Sequence, residues 1–142
     1  RTLIMNPKFV VCDEPTSMLD VSIRISIMDL MLNLAKDLEV SYLYITHDLA
    51  VARYMCDRIA VMFNGKIVEI AETEDLLNNP IHPYTKRLIS SIPIPDPSYS
   101  RETYEVNFQE LDTLIAANPE SAEMIEVSQN HFVATHDVKG IL

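Results

Sequence analysis

Asp13 and Glu14 stand side by side at the end of a short apolar run, Phe9-Val10-Val11-Cys12, and are followed at once by Pro15. The run reads as a buried strand of a parallel sheet, stopped by a proline that has no N–H to donate. Open α/β sheets bind ligands just beyond the carboxyl ends of their strands. Two acids there stand where phosphate and a metal ion would sit. A hard cation such as Mg²⁺ takes one or two carboxylates together with phosphate oxygens and waters. One acid could serve the metal while its neighbour, on the other side of the pleat, faces a nucleophilic water. An ordinary strand-to-loop junction with solvated acids is the alternative for an Asp-Glu pair alone.

The residues that follow add to this reading. Pro15 leads into Thr16-Ser17-Met18-Leu19-Asp20, and a second strand-like run from Val40 to Ile45 ends in Thr46-His47-Asp48. Asp-Glu-Pro-Thr-Ser-x-Leu-Asp followed by Thr-His-Asp, in this order and spacing, resembles the ATP-binding-cassette ATPases. The resemblance implies that Asp13 holds Mg²⁺ through water and that Glu14 orients or deprotonates the attacking water. It also implies that His47 donates a hydrogen bond to the γ-phosphate of ATP. Asp20 would lie in the D-loop, at the contact between two nucleotide-binding domains. Taken singly, Asp20 reads as a helix cap and His47 as a buried, satisfied histidine.

The elements that must position these groups follow from the pattern. Arg1 to Met5 reads as the end of a helix, stopped by Asn6-Pro7. A helix is expected from Asp20 or Val21 to about Leu38, capped by Asp20 or Ser22, with Ile23, Ile27, Leu30, Leu34 and Leu38 at helical spacing. Ile25, Met28 and Leu32 are apolar as well, so burial on more than one side is expected, with methionines as core filler. Val40 to Ile45 is the next strand. Asp48 caps a helix to about Cys56, with Leu49, Ala52 and Met55 on one face. Arg58 to Phe63 and Lys66 to Ile70 form a hairpin about Asn64-Gly65, both of which tolerate positive φ. A short helix from Thr73 to Leu77 has Thr73 as cap and acids in its first turn. This order indicates an α/β domain, here the C-terminal portion of a P-loop ATPase with parallel strands, a terminal hairpin and an extension.

From Pro80 the composition changes. Pro83 can open a helix that ends near Ser91, and Ile92-Pro93-Ile94-Pro95-Asp96-Pro97 is an extended, stiff linker. Asn-Pro-x-His-Pro-Tyr-Thr-x-x-Leu followed by Ile-Pro-x-Pro-Asp-Pro resembles the C-terminal extension of oligopeptide and dipeptide importer ATPases. His82 reads as structural within that turn. The expected divisions are 1–79 for the distal part of the nucleotide-binding domain, 80–100 for the extension and 101–142 for a tail. In the tail, 108–117 reads as a helix and His131 to Ala134 as a strand.

Composition narrows the function classes. A net charge of −10 speaks against a general nucleic-acid surface, since the phosphate backbone is bound by clustered Lys and Arg. No apolar run approaches the roughly 18 residues that read as a membrane span. Cys12 and Cys56 lie in apolar runs and read as core residues of a reducing compartment rather than a disulfide. Gly65 and Gly140 are the only glycines, and no Gly-Lys-Ser/Thr occurs. A phosphate-cradling loop needs several glycines, so the Walker A and signature loops are expected outside these residues. The start at Arg1 without a Met suggests a piece of a longer protein.

The resemblance implies an ATPase of the translocase class, using ATP and Mg²⁺, peripheral on the cytoplasmic side of a membrane. Its partners would be transmembrane permease subunits and a second ATP-binding subunit, with no nucleic acid. Importers of another solute, such as nickel, share the extension. A non-catalytic module that binds a partner subunit is a further alternative. Many related tails carry a cysteine where this chain has Thr135, and some hold an iron–sulfur cluster. No cysteine follows Cys56, so no cluster is expected here. His131 and His136 make only a weak metal signal, and a structural tail is expected.

Overall fold

The computed structural model describes residues 7–91 and 123–134. The expected helix tail at 1–5, the linker at 92–97, the helix at 108–117, Thr135 and His136 lie outside the described residues. The chain divides into two compact units, Arg1–Cys56 and Asp57–Leu142.

In the first unit, β1 (Phe9–Asp13) pairs in parallel with β2 (Ser41–Ile45), from Phe9 opposite Ser41 to Asp13 opposite Ile45. A parallel pair needs a crossover, and α1 (Val21–Leu38) supplies it. Glu39 closes α1 in the left-handed conformation, its N–H donating to the Ala35 carbonyl, a common way to end a helix. Asp20 occupies the N-cap position of α1, but its side chain makes no capping bond. α2 (Leu49–Met55) is capped as expected, with the Asp48 side chain accepting from the N–H groups of Ala50 and Val51.

Burial in this unit departs from the expectation. Phe9 and Val11 of β1 are 57% and 55% exposed, and Leu43 and Ile45 of β2 share that open face. Along α1 only Met28 is buried, while Ile23, Ile25, Leu30 and Leu38 are exposed. Two strands and one crossover helix have too few layers to enclose both sides of the sheet and the whole helix circumference. Cys12 and Cys56 are only partly buried, and no disulfide joins them. Burial pushes the Cys12 thiol above its ordinary range.

The second unit is an antiparallel sheet in the order β3-β4-β6-β5, formed by β3 (Arg58–Phe63), β4 (Lys66–Glu72), β5 (Met124–Ser128) and β6 (His131–Ala134). Asn64 and Gly65, at φ 46° and 77°, turn the first hairpin, the backbone that a two-residue loop favours. α3 (Thr73–Asn78) begins one residue earlier than a Thr73 cap would place it. Glu72 sits at the N-cap without a side-chain bond, and the Thr73 N–H donates to the Asp57 carbonyl. α4 (Pro83–Ser90) opens on Pro83, and His82 Nδ1 caps it by accepting from the Tyr84 N–H at 3.1 Å. Phe63 and Tyr84 pack ring to ring at 4.4 Å.

A bulge between Val61 and Met62 shifts the β3–β4 register, so that Val68 and Glu69 are buried in succession. Glu69 is thereby in line with Val61 on one side and Val133 on the other, fully enclosed. Its carboxylate accepts from the N–H groups of Ile81 at 2.8 Å and His82 at 3.1 Å. His131 Nε2 lies 2.8 Å from the same carboxylate, and His131 Nδ1 lies 2.8 Å from Asp75. One acid thus ties β4, the turn before α4 and the tail strand β6 together. His131 has a structural setting, with a carboxylate on each ring nitrogen.

Removing the buried Glu69 carboxylate leaves the Ile81 and His82 N–H groups without their acceptor, at a cost of about 2–6 kcal/mol for the two. Glu69→Ala is therefore expected to lower stability by about that amount in urea unfolding; a loss below about 1 kcal/mol, the value of a surface pair, would contradict it. The Asn79 amide first, and His131 second, hold the Asp75 carboxyl below its ordinary range against partial burial. A depressed carboxyl adds stability that is present above its unfolded value near about pH 4 and is lost as pH falls through its native value. Asp75→Asn should flatten that acid-side loss in stability measured against pH, and an unchanged slope would refute the assignment.

Candidate functional site

The end of β1 is shaped by local hydrogen bonding. Glu14 lies just past the strand, yet its N–H still donates to the Ile45 carbonyl at 2.9 Å and so extends the parallel ladder. Its carbonyl accepts from the Ser17 N–H at 3.2 Å and from Ser17 Oγ at 3.0 Å. The four residues from Glu14 form a turn with Pro15 at its second position, where the ring pre-sets φ. A second turn follows from Thr16 to Leu19. Thr16 is buried, and its hydroxyl meets the Tyr44 hydroxyl of β2 at 2.9 Å, tying the loop to the neighbouring strand.

Glu14 itself adopts φ 42°. A left-handed conformation at a residue with a Cβ is costly and persists only where the surroundings over-determine it. Here the ladder bond on one side and the Ser17 contacts on the other hold it. The outcome is a carboxylate turned toward β2, with Oε1 2.7 Å from His47 Nδ1. His47 stands two residues past the end of β2, and its side chain is 75% exposed, so a buried, satisfied histidine is not what the structure contains. Nε2 of His47 and Oε2 of Glu14 have no protein partner among the described residues.

Of the four residues whose types and spacing suggest chemistry, the structure brings two into contact. Glu14 and His47 meet. Asp13, the last residue of β1, stands exposed opposite Ile45, and its carboxylate makes no bond among the described residues. Asp20 is exposed at the head of α1, its side chain uncommitted to its own helix. Glu14, Thr16, Tyr44, His47 and Asp48 line one small open cleft, with Arg24 of α1 on its wall.

Among the described residues no group of three or more His, Cys, Asp or Glu side chains could cage a metal ion. Mg²⁺ does not need such a cage, because it retains waters and shares substrate phosphate oxygens. One free carboxylate at a strand end fits that mode of binding.

Arg24 escaped the sequence reading. Its signal is a single charge between Ile23 and Ile25, one turn into an apolar helix. Its guanidinium donates from Nη2 to the Leu19 carbonyl at 3.4 Å and lies 3.6 Å from Asp48 Oδ2 through Nη1.

Comparison with known proteins gives the wider frame. Residues 68–119 match the family described as "Oligopeptide/dipeptide transporter, C-terminal region". The oligopeptide transport ATP-binding protein AmiF of Streptococcus pneumoniae is 45% identical over 94% of this chain and 42% of its own length. The oligopeptide transport ATP-binding protein OppF of Streptococcus pyogenes is 48% identical over 94% of this chain and 43% of its own. The chain therefore spans less than half the length of these relatives. Among solved structures, the ADP conformation of MJ1267, an ATP-binding cassette of an ABC transporter, covers 65% of this chain and 36% of its own. It does so at 27% identity and a TM-score of 0.52. With the strand-end Asp-Glu pair and the histidine it meets, these matches place the chain among the ATP-binding-cassette ATPases, similar in sequence to part of the oligopeptide transport ATP-binding proteins.

Proposed function

We propose that the complete subunit hydrolyses ATP, as a translocase-class ATPase, to drive import of oligopeptides or dipeptides through a membrane transporter. The 2.7 Å contact between Glu14 and His47 carries the chemical part of this reading. It leaves one oxygen of Glu14 and one nitrogen of His47 for a ligand in the same cleft. Oε2 of Glu14 orients the attacking water and takes its proton as the water oxygen bonds to the γ-phosphorus. The bond to the β–γ bridging oxygen breaks, and ADP and phosphate leave. Nε2 of His47 donates to a γ-phosphate oxygen. Asp13 would hold Mg²⁺ through water. When bound, the ion neutralises charge on the β- and γ-phosphates.

The names of the relatives and the matched extension support peptides as the transported solute. Exposed Asp20, together with Met18 at 96% exposure on the same loop, suits contact with a second ATP-binding subunit. No described helix is long and apolar enough to cross a membrane, which suits a peripheral subunit docked on transmembrane permeases at the cytoplasmic face. The charge of −10 favours protein partners over nucleic acid.

In the complete subunit with its partners, Glu14→Gln keeps size and hydrogen bonding but removes basicity. Hydrolysis should fall by roughly 10²–10⁴-fold, the usual contribution of a positioned base, while ATP binding survives and an ATP-bound dimer accumulates. Asp13→Asn should instead shift the Mg²⁺ dependence and trap less dimer, and His47→Ala should lose turnover with initial nucleotide binding retained. ATPase rates and ATP-dependent dimerisation of the three variants side by side are the measurement. Near-normal turnover of Glu14→Gln would remove Glu14 from the mechanism. The 142-residue chain alone, with Gly65 and Gly140 as its only glycines, should give no heat on titration with Mg-ATP. Micromolar affinity would show that phosphate binding does not need a glycine-rich cradle here.

A further inference from the structure

Arg24 takes no part in the chemistry above, yet it touches both loops that do. Its Nη2 reaches the carbonyl of Leu19, the residue before Asp20, and its Nη1 faces Asp48, the residue after His47. Asp48 is itself well held. Its Oδ1 accepts from Ala50 N at 2.9 Å and Val51 N at 3.3 Å, and its own N–H donates to Thr46 Oγ1 at 3.0 Å. These bonds close the turn around His47 and leave Oδ2 to face the guanidinium.

Two features separate Arg24 from an ordinary surface ion pair. At 3.4 and 3.6 Å its contacts are loose, and the Arg24 and Asp48 side chains are 26% and 39% exposed, so the pair adds little to folding. The Nε atom of Arg24 is nevertheless buried with no hydrogen-bond partner among the described residues. A buried unpaired donor is a cost that folding alone gives no reason to retain. The planar guanidinium offers separate nitrogens in a fixed fork, one to the Leu19 carbonyl and one toward the Asp48 carboxylate.

We propose that Arg24 is a positioning residue coupling the Asp20 loop to the His47 loop, so that a contact made by Asp20 is transmitted to the group that holds the γ-phosphate. The inference rests on the reading of this site as an ATPase. In that setting the guanidinium turns engagement of a second subunit at Asp20 into a shift of the Asp48 carboxylate and, through the Thr46–Asp48 turn, of His47.

The test uses the complete subunit assembled with its partners. Arg24→Gln, Asp48→Asn and the double variant are compared with wild type and Glu14→Gln in ATPase assays over a range of ATP concentrations. Asn caps a helix as well as Asp does, so Asp48→Asn removes the charge facing Arg24 while α2 keeps its cap. Each single variant should lower kcat by about 5- to 30-fold, within the range of coupling between sites, with KM changed by less than about twofold. The double variant should be no slower than either single one, as expected for two members of one link. A merely structural role predicts instead a loss of folded protein with kcat per folded subunit unchanged. Undiminished kcat in Arg24→Gln, a loss confined to KM, or losses that multiply in the double variant would overturn the proposal. Should Arg24→Gln fail to fold, the kcat of Asp48→Asn decides alone. Absence of any Glu14-dependent ATPase in the wild type would overturn the ATPase reading, and the coupling with it; Glu14-dependent turnover with an unaffected Arg24→Gln overturns the coupling only.

Discussion

The candidate site depends on the register of one parallel strand pair. β1 and β2 run in the same direction with Asp13 opposite Ile45, so their ends emerge side by side and both following residues leave the sheet at the same edge. The Glu14 N–H bond to the Ile45 carbonyl carries that register one residue past the strand. From there Glu14 turns left-handed and His47 begins its own turn, and the two side chains meet. A slip of one residue would turn alternate side chains to the opposite face and separate them. The loop after Glu14 then answers to the same constraint, because Thr16 is anchored to Tyr44, a residue of the partner strand.

A different solution holds the second unit. There a buried acid, not a strand end, is the centre. The bulge in the β3–β4 hairpin puts Glu69 on the enclosed face, where a carboxylate is tolerated only if its oxygens are fully used. Two backbone N–H groups from the turn before α4 and one ring nitrogen of His131 use them. The turn before α4 and the strand β6 are therefore fastened to the hairpin through one residue. His82, in the same turn, is occupied with capping α4, which accounts for a histidine there without chemistry.

The acids beside β1 and those around His131 are used in opposite ways. At the end of β1 and the head of α1, Asp13, Glu14 and Asp20 are exposed and keep oxygens without a partner among the described residues. Around His131, Glu69 and Asp75 are engaged by donors within the unit. Exposure and unused valence, rather than the number of carboxylates, separate the acids that could act on a ligand from those that hold the fold.

Much of this was legible in the chain itself, because it depends on neighbours in sequence. Pro15 after Asp13-Glu14 marks the strand end, Asn64-Gly65 marks the hairpin, and Asp48 and Pro83 mark the starts of α2 and α4; each acts through its own backbone or the next turn of helix. The motif order around Asp13, Glu14, Asp20 and His47 likewise pointed to the family. Other features arise only when distant segments meet. That Glu14 bonds His47, that Arg24 lies between Leu19 and Asp48, and that Glu69 serves both the α4 turn and His131 all follow from strand register and a bulge, which no local pattern specifies. The expected burial of β1 and α1 failed for the same reason. An apolar residue shows in sequence that it can be covered, but coverage requires another layer against it, and only tertiary packing decides whether that layer is present.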